Sequence, residues 1–182
     1  LNENYTFDNF IVGPCKIEAK QASLFVATTP GREYNPLFIY SASGLGKTHL
    51  LHAIGNHIKS QHSRLKVLYL TTDNFVDEFV RSIQGQKEID DLRDYITTVD
   101  VLLVDDIQFL ADKTKTADMF FNIFNSMINS NKQIILTSDR SPNELRGLEA
   151  RLVTRFKAGL SINIKNPDHE TLLSILKQKI DS

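Results

Sequence analysis

Cysteine is almost missing from this chain. Cys15 stands alone among 182 residues, so no intrachain disulfide can form. A reducing, cytosolic compartment fits that usage. Long apolar runs are missing too: none approaches the ~20 residues that cross a bilayer. The start shows no signal-peptide pattern. Excess charge is absent, with 21 Lys and Arg against 22 Asp and Glu leaving a net −1. That balance excludes a protein that coats nucleic acid through a global field; any DNA contact has to be a local patch. Repeats and low-complexity tracts are absent. His49 and His52 lie three apart, but no acidic or Cys partner completes a metal set. No Ser-His-Asp arrangement is suggested either.

What is there is ordinary for a soluble globular domain: 41% hydrophobic and 24% charged residues, on a length that suits one core. The chain starts on Leu1 and stops within a helical pattern at 170–180, so a piece of a longer protein is expected. Residues 1–14 read as an extended arm, and 16–28 as a helix stopped by Pro30-Gly31. Apolar runs at 37–40, 67–70, 101–104, 134–136 and 160–164 read as strands with helical patterns between them. Such alternation implies an α/β fold, a parallel sheet covered on both faces. The connection from 70 to 101 is long for one crossover. It splits into two helical patterns, 73–83 and 88–97, broken around Gly85. That surplus is either a longer crossover or an added functional element.

The most informative stretch is Ser41-Ala-Ser-Gly-Leu-Gly-Lys-Thr48, between the run 37–40 and a helical pattern from His49. Strand, small-residue loop, Gly-Lys-Thr, helix is the layout of a phosphate-binding P-loop. Gly44 and Gly46 let the backbone N–H groups curl inward, and the positive end of the helix dipole faces the same point. Lys47 can reach β- and γ-phosphates, and the Thr48 hydroxyl can ligate Mg²⁺. Ser41 stands where the usual pattern has its first Gly, which is tolerable where the loop does not need φ > 0.

Val101-Leu-Leu-Val-Asp105-Asp106 is an apolar strand ending in paired carboxylates. Ligands of open α/β sheets bind at the carboxyl ends of strands, where the P-loop phosphates would be. One acid can hold Mg²⁺ through water while its neighbour polarises an attacking water. Without the P-loop, Asp-Asp after a strand is often only a turn. Ile134-Ile-Leu-Thr-Ser-Asp139 repeats the logic; Asp139, and behind it Ser138, are candidates for the γ-phosphate if this strand lies beside the P-loop strand. Ser141 and Glu144 read as a capping box. Arg151 and Arg155 stand four apart on one helical face. They either complement a helix dipole or serve a neighbouring subunit's nucleotide. Lys113 and Lys115 precede a helix read at 117–129. They are either solvated or placed to grip a nucleic-acid phosphate.

Taken together, Tyr5–Gly13, Tyr34–Tyr40, Gly44–Leu50, Val104–Phe109, Ile135–Arg140 and Arg151–Phe156 resemble the AAA+ ATPase domain of the bacterial replication initiator DnaA. The resemblance runs from residue 5 to at least 165. It implies a three-layer αβα P-loop NTPase with a five-stranded parallel sheet in the order 5-1-4-3-2. Residues 1–165 would be the nucleotide-binding core and 166–182 the start of an α-helical lid. The helices at 73–97 would be the family's initiator-specific element.

Residue by residue, the same resemblance implies that Ile11 and Val12 line the adenine pocket. Gly44, Leu45, Gly46, Lys47, Thr48 and His49 would bind ATP or ADP. Thr48 and Asp105 would serve Mg²⁺, Asp106 would be the general base and Asp139 the first sensor. Arg155 would be the finger inserted into the next protomer's ATP, with Arg151 beside it. Val80, Lys113, Lys115 and Thr116 would touch single-stranded DNA. Two departures stand out besides Ser41: Lys16-Ile17 replaces the usual Asn-Arg, and Lys115 stands where Arg is usual. The implied function is a slow ATPase switch that assembles head to tail at a replication origin and opens the duplex. A replicative helicase or regulatory proteins are further partners to expect. Two rivals are a helicase-loader or initiator-regulating AAA+ ATPase, and an interaction module that has lost nucleotide.

Overall fold

All five apolar runs become strands in the computed structural model, which describes residues 1–10, 13, 16–42, 46–164, 176–177 and 179–180. They are β1 (Leu37–Tyr40), β2 (Val67–Thr71), β3 (Val101–Asp105), β4 (Gln133–Ser138) and β5 (Leu160–Asn163). Every pairing is parallel, and the order is β2-β3-β4-β1-β5. This is the 5-1-4-3-2 order seen from the other edge.

Side chains alternate across the sheet with period two, so each strand feeds two cores. Leu37, Ile39, Val101, Leu103 and Ile135 face α1 (Ile17–Thr28) and α2 (Lys47–Gln61), where Val26, Leu50, Leu51 and Ile54 close the core. Phe38, Leu102, Val104, Ile134 and Leu136 face the other layer. That layer is α3 (Thr72–Ser82), α4 (Gln86–Thr97), α5 (Thr114–Asn129) and α6 (Ala150–Lys157). Its centre is aromatic: Phe156 meets Phe120 and Phe124 edge to face at 6.4 and 5.9 Å. Burial of several such rings supplies a large part of the apolar driving force. No helix among the described residues is long and apolar enough to cross a membrane.

The surplus between β2 and β3 is indeed two helices, α3 and α4, parted at Gly85. Thr71 caps α3 by accepting the Asn74 N–H at 3.2 Å. Two expectations change. The arm is not extended: it turns at Asn2–Tyr5 and Phe7–Phe10, and Phe7 and Phe10 are buried. A row of histidines on α2 explains this. Tyr5 stacks on His49 at 4.9 Å, Phe10 meets His49 edge-on at 5.3 Å, and Phe7 meets His57 at 5.7 Å. The helix expected from 117 begins at Thr114 instead, since no Gly or Pro delays it once Lys113 N–H has bonded the Leu110 carbonyl. The expected lid, 166–182, lies outside the described residues apart from 176–177 and 179–180.

Candidate nucleotide site

The site is assembled by the sheet's own alternation. Asp105 follows Leu103 by two residues, so it points to the α2 face at the carboxyl edge. α2 begins there. Gly46, its N-cap, has φ 99°, and a Cβ on it would lie 3.0 Å from the Phe10 ring. Only glycine fits that turn comfortably. The first helical bond runs from Leu50 N–H to Gly46 C=O, so the N–H groups of Lys47, Thr48 and His49 open outward. Lys47 is buried, and its ammonium donates to the carbonyls of Ser41 (2.7 Å) and Ala42 (3.4 Å). Burial lowers its pKa, against the pull of Asp106, Asp105 and Asp139. Ser41 is buried without a positive φ, so the loop does not need glycine there.

Thr48 Oγ1 donates to Asp105 Oδ2 at 2.8 Å, joining the start of α2 to the acid strand. Two further hydroxyls end on the same carboxylate: Tyr69 OH on Oδ2 at 2.8 Å, and Thr137 Oγ1 on Oδ1. Burial first, then the Asp105 charge, hold the Tyr69 phenol well above its ordinary pKa. Asp106 sits past the strand end in a left-handed conformation, φ 60° and ψ 56°. Asp tolerates that region better than most residues. Its N–H donates to Thr137 Oγ1 at 2.9 Å, so one threonine hydroxyl ties both acids. Burial first, then Asp105, hold the Asp106 carboxyl above the usual carboxylate range. That direction suits a base near neutrality.

β4 does lie beside β1, with Ser138 level with Tyr40. Gln108 spans the gap between the acidic ends: its Nε2 donates to Asp106 Oδ1 (3.4 Å), and its Oε1 accepts the Asp139 N–H (3.3 Å). Arg140 forks onto both Asp139 oxygens at 2.8 and 3.1 Å, which keeps that carboxyl below its ordinary pKa. Ser138 is fully buried, and its Oγ accepts the Arg140 N–H at 3.2 Å, so it serves the turn. Glu144 accepts from the Ser141 hydroxyl at 2.7 Å, on a single 3-10 turn.

His49, expected at the nucleotide, gives its ring to the arm: Nε2 donates to the Thr6 carbonyl at 2.8 Å. Only its backbone N–H stays with the loop. Lys16 is buried, with Nζ 3.8 Å from the Cβ position of Gly46. The residue that replaces the family's Asn therefore stands against the loop. Ile11, Val12, Gly44 and Leu45 lie outside the described residues.

Away from the acids, the two arginines differ. Arg151 bonds Asp118 on α5 at 2.5 Å and Glu149 at 2.8 Å, and lies 4.2 Å above the Phe121 ring. Arg155, exposed in the last turn of α6, forms no ion pair or side-chain hydrogen bond with any described residue. Lys113 caps α5 and Lys115 lies in its first turn, both exposed, while Thr116 is buried. Thr116 could reach a phosphate only through its backbone. Val80 is 58% exposed on α3, which packs on the 3-10 turn Ile107–Leu110 leading to α5.

Tyr69, Thr137 and Gln108 are the polar residues that the motifs did not single out. Counting by twos back from Asp105 and forward from Ile135 puts Thr137 on the α2 face, so alternation was the available signal.

Among the described residues no cluster of three His, Cys, Asp or Glu could hold a metal. One carboxylate and one hydroxyl fit the few protein oxygens that Mg²⁺ takes beside a nucleotide, most of its ligands being phosphate oxygens and water, and the open helix N–H groups fit the phosphates themselves. A P-loop helix facing an acidic strand, on a sheet of this order, defines a P-loop NTPase of the AAA+ class. The family model of the bacterial DnaA ATPase domain matches residues 1–163. The chain belongs to that family.

The DnaA of Streptococcus uberis is 53% identical over 99% of this chain, which covers 40% of that protein. The chain thus spans about two fifths of this relative's length. Domain III of Thermotoga maritima DnaA superposes with a TM-score of 0.95 at 44% identity, covering all of this chain and 75% of that one. A DnaA solved with AMPPCP and single-stranded DNA gives 0.93 at 41% identity, over all of this chain and 56% of that one. A structure of DnaI stands further off, at 0.74 and 25% identity over 86% of this chain and 88% of that one.

Proposed function

We propose that this chain is the ATP-binding and slowly hydrolysing switch of a bacterial replication initiator. The observation that carries the reading is the Thr48–Asp105 bond, which joins the phosphate-loop helix to the acid strand. Lys47 and the open N–H groups of α2 hold the phosphates. When bound, Mg²⁺ neutralises phosphate charge beside Thr48 and Asp105. Asp106 takes the proton of the attacking water, its raised pKa fitting it for that step. Asp139, kept ionised by Arg140, reads the γ-phosphate end.

ATP favours a head-to-tail assembly, a heterologous contact that need not close into a ring. Arg155 reaches the next protomer's nucleotide; Arg151 braces the helix that presents it. Inside the assembly Val80, Lys113, Lys115 and the backbone at Thr116 meet single-stranded origin DNA. Replicative helicase and regulators are further partners, and the place of action is the cytoplasm. A relative's capture with AMPPCP and single-stranded DNA supports this reading. The helicase-loader reading is disfavoured by the gap between 53% identity to a DnaA and 25% to DnaI. Calorimetric titration with Mg·ATP and Mg·ADP tests the core of it. Micromolar or tighter binding that Lys47→Ala weakens about 100-fold is expected; no affinity in the wild type overturns it.

A further inference from the structure

Thr48 reaches Asp105 from the nucleotide loop, but Tyr69 reaches the same oxygen from the opposite side. It stands on β2, the edge strand, on the far side of β3 from the P-loop strand. A carboxylate at a strand end turns freely about its last torsion unless donors fix its plane. Here Tyr69 and Thr137 hold the two oxygens from flanking strands. Tyr69 is itself held. Its ring packs on His52 at 4.2 Å, and His52 Nδ1 accepts the Asn2 N–H at 3.0 Å. Tyr5 of the arm leans on the same imidazole at 5.5 Å. A continuous set of contacts therefore runs from the arm through His52 and Tyr69 to Asp105. Nothing in the P-loop motif calls for it.

We propose that Tyr69 is a positioning residue for the metal-side acid, and that His52 and the N-terminal arm hold Tyr69 in place. The proposal rests on the nucleotide reading above. Residues behind a metal ligand commonly change metal affinity tenfold or more when altered, because they set the ligand's orientation. Tyr69→Phe keeps the ring and its contact with His52 and removes only the donor. Asn2 and Tyr5, at the start of the arm, then matter to the site through the ring they hold.

The test is a Mg²⁺ titration of the full-length protein with a fluorescent ADP analogue, starting in EDTA. For Tyr69→Phe, EDTA affinity should stay at the wild-type value while the Mg²⁺ midpoint rises about tenfold. His52→Leu should move the midpoint the same way by less. An unmoved midpoint in Tyr69→Phe overturns the proposal, and so does equal weakening with and without Mg²⁺, which marks a merely structural residue. A shift in Tyr69→Phe with none in His52→Leu overturns the arm's part. A wild-type protein that binds nucleotide indifferently to Mg²⁺ overturns the metal reading itself, which separates the two failures.

Discussion

Around Asp105 the side-chain polar atoms are already partnered; along the rim that carries Arg155, Lys113 and Lys115 the side-chain polar atoms have no partner among the described residues. Asp105 is 2% exposed, and its carboxylate accepts three hydroxyls. The rim cations form no ion pair or side-chain hydrogen bond with any described residue. The physics of the two places differs. A buried carboxylate without donors costs several kcal/mol, so its partners must come from the same chain. An exposed cation is satisfied by water and can wait for a partner molecule. On the function proposed above, the groups assigned to chemistry within one chain are prearranged, while the groups assigned to a second chain or a nucleic acid are left to solvent.

The sharpest way to break this contrast is at the acids. Asp106→Asn keeps the residue type that tolerates the left-handed backbone, yet removes the base. Hydrolysis should fall about 10²- to 10⁴-fold while ATP affinity holds, as single-turnover rates and titration would show. A wild-type rate would hand the role to another group. Lys47→Ala should cost roughly 100-fold in nucleotide affinity, the loss expected from charge-assisted phosphate contacts.

On the rim, the arginine pair is its own control. Arg155→Ala should leave the melting temperature unchanged and stop ATP-dependent assembly in sedimentation or cross-linking. Arg151→Ala should instead lower stability by about 1 kcal/mol, since its half-exposed ion pairs and ring contact are screened by water. Equal behaviour of the two variants would erase the distinction. The Lys113/Lys115 double alanine variant should weaken single-strand DNA binding across sequences. The salt slope should flatten by about 1.4, from two lost phosphate contacts.

The smallest effect should come from pH. Burial lowers the pKa of both His49 and His52 below 6.5. In acid the unfolded chain takes up protons before the folded one, so stability is full above 6.5 and declines as pH falls through and below it. Thermal melts between pH 7.5 and 5 check this. A His49→Gln, His52→Gln variant should lose most of that slope.

The sheet was legible because buried parallel strands are continuous apolar runs, such as Val101–Val104. The places of Lys47 and Thr48 at the start of α2, of the paired acids at the end of β3 and of Asp139 just past β4 were legible because each stands in a local pattern. Tyr69 and Thr137 were not, because their meaning lies in register: Thr71 level with Asp105, and Leu136 level with Val104. No strand states its neighbour's offset in its own sequence. The same holds for Arg151, whose partner Asp118 is 33 residues away. The arm was misread because its aromatic residues are ordered by histidines on α2, which as single residues had suggested only a failed metal set.

Alternation in β3 also limits how this segment can change in length. Inserting one residue between Val101 and Val104 would turn Asp105 away from Thr48 and toward the face of Phe38 and Phe156, with Val104 carried into its place. An apolar side chain would then meet Thr48. Removing two would shorten the strand but leave every side chain on its own face. Parity therefore weighs more than length in this strand: odd insertions and deletions are closed to it, while even ones leave the acid facing the helix it serves.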